Sequence, residues 1–145
     1  MAWLNYNTIQ DDLVSLLSAG VSSAKVVKKE ADERDYSFAS MPLIDVRLKS
    51  SNPEIRAGRD YYVFVTFEVQ ISVFDLSSFA DAAEVRHSVL SSAIDTVRNS
   101  ANFSSVIETS RIGQIEFQGV KDEKSGAFMS GVTFEVITES FVDRS

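Results

Sequence analysis

The sequence predicts an α+β fold of two layers, a mixed and mostly antiparallel β-sheet with two helices packed on one face. Three observations predict it: a long run of alternating apolar residues over 61–74, two segments with apolar residues at helical spacing, and a closing pair of alternating segments. A sheet with one apolar face must cover that face, and two amphipathic helices are available to do so. The 145 residues match the usual size of one domain, so 1–145 is expected to be a single domain.

The central strand is the clearest element. Over residues 61–74 one alternating set is apolar throughout, and the other set is mixed. A period of two over this length indicates a strand with one dry face. At about 3.3 Å per residue it would span roughly 45 Å, so we expect a central, curved strand that overshoots its neighbours at one end. The apolar set is Tyr61, Val63, Val65, Phe67, Val69, Ile71 and Val73.

The first helix is predicted over residues 8–19, where four apolar side chains recur at helical spacing. Asp11 and Asp12 would lie in its first turn, where negative charge complements the helix dipole, and Gly20 would end it. The second helix is predicted to begin after N-cap candidates at 75–78 and to run to about Asn99. Its apolar stripe is Phe79, Ala82, Ala83, Val89, Leu90, Ala93, Ile94 and Val97.

Arg86 falls in the middle of this stripe, which leaves two interpretations open. Its stem could cover apolar surface while the guanidinium stays wet. Alternatively, the guanidinium could form a buried pair with a carboxylate of the sheet.

Up to five further strands complete the sheet. A short strand is predicted over 24–30 and another over 42–48, opened by Pro42. Residues 50–60 contain Asn-Pro and Ala-Gly, which predict turns. The alternating segments 114–119 and 128–139 predict a β-hairpin with a charged tip at 121–126, and residues 106–108 could add a short edge strand.

The face of the sheet opposite the helices is predicted to be polar and acidic. Its residues come from the mixed set of the central strand and from the hairpin, and the hairpin tip adds four charged residues. We predict that these positions meet other subunits or line a lumen. They are Glu68, Gln70, Glu116, Gln118, Glu135, Lys121, Asp122, Glu123 and Lys124.

Residues for catalysis, cofactor binding or metal binding are not evident, so we expect a protein that is not an enzyme and has no cofactor. The sequence has no cysteine, and His87 is its single histidine, which is expected to lie at the surface. Phosphate-binding glycine motifs are absent. Adjacent carboxylates such as Asp11 and Asp12 occur where helix starts and turns usually carry charge.

Charge and hydropathy restrict the partners. The net charge of −7 and the lack of a basic cluster longer than Lys28-Lys29 disfavour sequence-specific nucleic-acid binding. Tyr61, Tyr62 and Phe64 could form a stacking platform for single strands, but the predicted face is acidic. No stretch is apolar enough for a membrane helix, and the N-terminus lacks signal-peptide features, so we expect a product of the cytoplasm without membrane contact.

Several segments, taken in order, resemble the tail terminator (tail-completion) proteins of long-tailed bacteriophages. They are the helix that ends at Ser18-Ala19-Gly20, the strand Met41-Pro42-Leu43-Ile44-Asp45-Val46, the strand from Tyr61 that leads into Val73-Phe74-Asp75, the helix with Ala80-Asp81-Ala82-Ala83-Glu84-Val85-Arg86, and the hairpin ending Val132-Thr133-Phe134-Glu135-Val136.

This resemblance implies a mixed sheet against two helices and a hexameric ring at the tail-neck region of the virion. The ring would stop tail-tube polymerisation and join the tube to the head-tail connector. DNA would pass through its lumen without specific binding. Some of the carboxylates are predicted to point into that channel, from the set Glu68, Glu116, Glu135, Asp122 and Glu123. The family has no catalytic residues to carry over.

Two other functions fit the sequence. A head-closure or other neck adaptor would use the same assembly chemistry with a different neighbour. A monomeric small-ligand module or an unrecognised enzyme would need a pocket between the second helix and the sheet.

Overall fold

Among the described residues, one layer of the fold is a five-stranded sheet in the order β1-β2-β3-β5-β4. The computed structural model describes residues 3–29, 42–56, 60–75, 79–121 and 128–143. Only β1 and β2 pair in parallel, and the other described neighbours are antiparallel, which confirms the mixed α+β fold. The elements are α1 Tyr6–Gly20, β1 Lys25–Lys28, β2 Leu43–Arg56, β3 Asp60–Asp75, α2 Phe79–Arg98, β4 Thr109–Lys121 and β5 Phe128–Val142.

β3 is the central strand, as the alternation predicts. Its apolar set points at the helices, and Val63, Phe67 and Ile71 are fully buried there. The predicted overshoot is wrong, because β2 and β5 pair with β3 over nearly its whole length. β5 follows it from Tyr61 to Asp75, so backbone groups on both sides of β3 are paired.

β2 is twice as long as predicted. It runs through Asn52 and Pro53, where a turn was expected, and Pro53 is in register with Val63. β1 pairs with β2 only as far as Val46, so the proline lies where β2 has an open side in the described part of the chain. A proline is tolerated at such a position because no ladder donor is needed there. The predicted Ala57-Gly58 turn lies outside the described residues.

α1 packs on the side of the sheet formed by β1 and β2. It begins two residues earlier than predicted, where the Asn5 side chain accepts a hydrogen bond from the Thr8 amide at 3.2 Å. Asp11 and Asp12 therefore lie in the second turn rather than the first. Asp11 forms an ion pair with Lys28 at 3.0 Å, and Asp12 Oδ2 accepts from the Ser104 hydroxyl at 2.6 Å.

Gln10 ties α1 to the sheet. Its side-chain amide is buried and donates to the carbonyl oxygens of Val46 at 2.9 Å and Lys29 at 3.0 Å. Both of these carbonyls belong to the region where β1 meets β2. One helical side chain therefore fixes the shortest strand of the sheet to its neighbour.

α2 lies beside α1 on the same face. It ends one residue before the predicted boundary, and its stripe is buried at Ala82, Val89, Ala93 and Val97. The helices approach closely at Gly20, where an added Cβ would collide with Thr96. Glycine at the end of α1 thus sets the distance between the helices. The predicted N-cap segment 76–78 lies outside the described residues.

β4 and β5 form the predicted hairpin. They pair antiparallel from Thr109 with Glu139 to Lys121 with Phe128, which makes β4 longer than expected. Residues 106–108 form part of a turn that leads into β4, so the predicted edge strand there is wrong. The ladder shifts register between Ile112 and Ile115, and the bulge contains Gly113.

Candidate functional site

The face of the sheet without α1 and α2 is called the open face here. Strand pairing places Glu68 of β3 beside Glu135 of β5, and Glu116 of β4 beside Thr133 of β5. Gln118 is in register with Gly131, two positions before Thr133 on β5. Because side chains alternate across a strand, the predicted polar residues Glu68, Gln70, Glu116, Gln118 and Glu135 share this face.

The open face contains a small acidic cleft around Glu135. Lys49 Nζ lies 2.7 Å from Glu135 Oε2, so the lysine of β2 reaches across β3 to β5. Glu135 Oε1 accepts from the Gln114 amide at 3.2 Å, and the Gln114 side chain donates to Glu116 Oε1 at 2.6 Å. The cleft is lined by Lys49, Glu68, Gln114, Glu116, Thr133 and Glu135.

Hydrogen bonding and charge perturb two groups in the acidic cleft. The hydrogen bond from Lys49 lowers the pKa of Glu135; partial burial opposes this effect, and the Gln114 amide adds to it. The same bond raises the pKa of Lys49, and the charges of Glu135, Glu68 and Glu116 act in the same direction. Three carboxylates thus surround one ammonium, and both partners of the ion pair are charged near neutral pH.

Gly113 makes room for this arrangement. A Cβ at this position would lie 2.9 Å from Glu135 Oε1 and 3.0 Å from Glu135 Cβ. The bulge of β4 therefore brings backbone against the carboxylate, where the Gln114 amide can donate to it.

A second polar cluster lies on the open face, but it is buried. Arg47 Nε donates to Asp45 Oδ1 at 2.9 Å, and the side chains are 8% and 1% exposed. Asp45 is in register with Gln70, and Gln70 is only 4% exposed. Ser72 lies beyond Gln70 on the same strand face and is fully buried.

Gln70 lies on the predicted face, but the prediction that it contacts a partner or lines a lumen needs correction. Its side chain is buried and exposes almost no surface. The buried pair of Asp45 and Arg47 was missed. A signal for it existed, because two opposite charges two residues apart in a strand must point to the same face.

Of the four predicted residues at the charged hairpin tip, Lys121 alone lies among the described residues. Lys121 is the last residue of β4. Asp122, Glu123 and Lys124 lie outside the described residues.

Arg86 lies half-buried between α2 and β4. Its guanidinium carbon is 5.0 Å from the centroid of the Phe117 ring, and Nη1 lies 3.5 Å from the Gly131 carbonyl oxygen. The ring of exposed His87 meets the edge of the same phenyl at 5.9 Å. Within the described ranges Arg86 forms no ion pair with a sheet carboxylate, and its buried Nε has no hydrogen-bond partner.

The aromatic residues at the start of β3 do not form one platform. Tyr61 stacks edge-to-face with Trp3 at 5.3 Å, and Tyr62 does so with Phe141 at 5.6 Å. Adjacent strand residues point to opposite faces, so Tyr61 is separated from Tyr62 and Phe64 by the sheet.

The acidic cleft is too small for a ligand site. Its volume is about 40 Å³, whereas small-molecule sites usually enclose roughly 300–1,000 Å³. Among the described residues no group of three or more His, Cys, Asp or Glu could hold a metal ion, and none of the described helices is long and apolar enough to cross a membrane. The open face thus offers a charged surface rather than a pocket.

The chain matches no protein-family model, and no curated protein matches it. One solved structure to which it is similar is described as the virion of a native gene transfer agent (GTA) particle. The alignment covers 96% of this chain and 100% of that chain, with 12% identity and a TM-score of 0.38. At this TM-score the likeness assigns neither a fold family nor a function.

Proposed function

We propose that this chain is a non-catalytic structural protein of a phage-like virion, and specifically a tail terminator whose ring closes the end of the tail tube. The observation that carries the proposal is the open face, on which Glu68, Glu116 and Glu135 gather around one lysine. On the opposite face, α1 and α2 pack against the sheet. The two faces therefore suit different neighbours.

In a ring of such copies, open faces turned inward would give the channel an acidic wall. Six copies with a formal charge of −7 each carry −42 (6 × −7). Like charge keeps a DNA backbone from adhering, because adhesion requires cations that replace its counterions. The proposed partners are further copies of this chain, the tail tube protein and the head-tail connector, and DNA passes without specific binding.

Loss of the chain tests the terminator role. We expect particles assembled without it to have tails of uncontrolled length, visible by electron microscopy, because tube polymerisation lacks its stop. Tails of normal length that fail to join heads would instead indicate a head-closure or neck adaptor. Normal particles in normal numbers would contradict both roles.

Charge reversal tests the orientation of the open face. The variant Glu68→Lys should slow DNA ejection or leave it incomplete, because two units of positive charge per copy would be added to the channel wall. The matched control is Glu84→Lys, with the same charge change on the exposed side of α2. Equal ejection by the two variants would place the open face away from the DNA.

A further inference from the structure

Both outer strands of the sheet leave an edge unpaired in the described part of the chain. Among the described strands, β1 pairs only with β2, and β4 pairs only with β5. Unpaired N–H and C=O groups along an edge are a template for another strand, and proteins usually protect such edges. These two edges differ in length and charge.

The β4 edge is long and partly apolar. After the bulge at Gly113, β4 pairs regularly with β5 from Ile115 to Lys121. Ile115 and Phe117 point to the helix side, yet they are 39% and 54% exposed. On the open face of the same stretch, Glu116 is exposed. Neither a proline nor an inward lysine guards residues 115–120.

The β1 edge has the opposite charge. Residues 25–29 contain three lysines. Lys25 is in register with Leu43, whose partner on β3 is Ser72, so exposed Lys25 lies on the open face. Lys28 lies on the helix side, where it pairs with Asp11. The open face is therefore cationic at its β1 edge and anionic toward β4.

The strand directions suit a contact between these two edges. β1 runs with β2, and each of the next three steps across the sheet reverses direction, so β4 is antiparallel to β1. Copies related by rotation about an axis along the strands would place β4 of one copy antiparallel to β1 of the next. All open faces would then lie on the same side. A contact between two different patches repeats from copy to copy, and it forms a ring when the rotation closes.

We propose that the occupant of the β4 edge is β1 of a second copy, which joins the sheets of neighbouring copies through antiparallel pairing and an attraction between Lys25 and Glu116. This inference rests on the proposed ring function and specifies its subunit contact. Half-exposed Ile115 and Phe117 become covered in the contact. The acidic clefts of all copies face the same space.

A charge swap tests the contact by native mass spectrometry. Lys25→Glu and Glu116→Lys should each weaken association about tenfold or more, because each places like charges across the interface. The double variant Lys25→Glu/Glu116→Lys should recover at least half of the lost association, since the attraction is restored with its sign reversed. Asp95→Lys on α2 is the matched control and should assemble like the parent chain.

Crosslinking tests whether β4 of one copy lies beside β1 of the next. Because the sequence has no cysteine, only the introduced cysteines can react. The variant Lys25→Cys/Gln118→Cys with a short bismaleimide should give a ladder of oligomers that ends at the closed ring. Each single cysteine should give no ladder. Dimers from Gln118→Cys alone would show symmetric β4–β4 contacts and overturn the proposal.

The remaining outcomes separate this inference from the proposed function. Rings that form normally in the charge-reversed single variants, without a crosslinked ladder, would overturn the β4–β1 contact and leave the ring function standing. A persistent monomer at every concentration, without a ladder, would overturn the contact and count against ring formation itself.

Discussion

Two ion pairs on the open face each join a basic side chain to a carboxylate, but one pair is buried and the other is partly exposed. Arg47 and Lys49 lie two residues apart on β2, but the Asp45–Arg47 pair is buried while the Lys49 side chain is 48% exposed. The first pair is local to one strand, and the second spans three strands to Glu135. Burial, rather than the ion pair itself, decides what each contributes to stability.

The largest effect is expected from breaking the buried pair. Arg47→Met should lower the free energy of unfolding by about 3–5 kcal/mol, because the buried Asp45 carboxyl would lose this ion-pair partner. Urea unfolding measures this loss, and an m-value equal to that of the parent chain shows that the unfolding behaviour is unchanged. A loss below about 1 kcal/mol would mean that the pair behaves like one at the surface.

Removing both partners sharpens the comparison. Asp45→Leu/Arg47→Met should be more stable than Arg47→Met alone, because the buried carboxyl that lost its partner is removed as well. A double-mutant cycle over the two sites gives the coupling energy directly. If the double variant is less stable than both single variants, the penalty does not arise from an orphaned charge.

The exposed pair should matter less. Lys49→Met is expected to cost no more than about 1 kcal/mol at neutral pH, and the cost should shrink as salt is added. Denaturant unfolding at low and high ionic strength measures it. A cost equal to that of Arg47→Met would erase the distinction between the two pairs.

The smallest effect is the pH dependence of the exposed pair. Because the folded-state pKa of Glu135 is lowered from 4.5, its contribution is present above that value and is lost as pH falls through the folded pKa. Glu135→Gln should therefore be less stable than the parent chain at neutral pH and equal to it in strong acid. A difference that persists in acid would have to come from packing instead of charge.

Local sequence patterns predicted the helices and strands. Strand ends, burial and contacts between strands depend on residues that are distant in the sequence. The alternation through Phe67 gave the identity of β3, because a period of two is a property of the strand itself. The Asn52-Pro53 signal predicted a turn, yet pairing with β3 extends β2 past it. Gln70 was placed on the correct face, but its burial depends on surroundings that alternation does not report. Lys49 reaches Glu135 across 86 positions of sequence, a distance at which local patterns carry no information.

Gln10 has a consequence for how quickly and tightly β1 can meet another strand. Four residues make a weak strand alone, and association usually loses free energy when it must immobilise a loose segment. Here the side-chain amide of α1 has already fixed the backbone on both sides of the β1–β2 seam. β1 therefore loses its conformational entropy during folding of the single chain. A neighbouring copy would then pair with a strand that is already ordered, and binding would not have to order it.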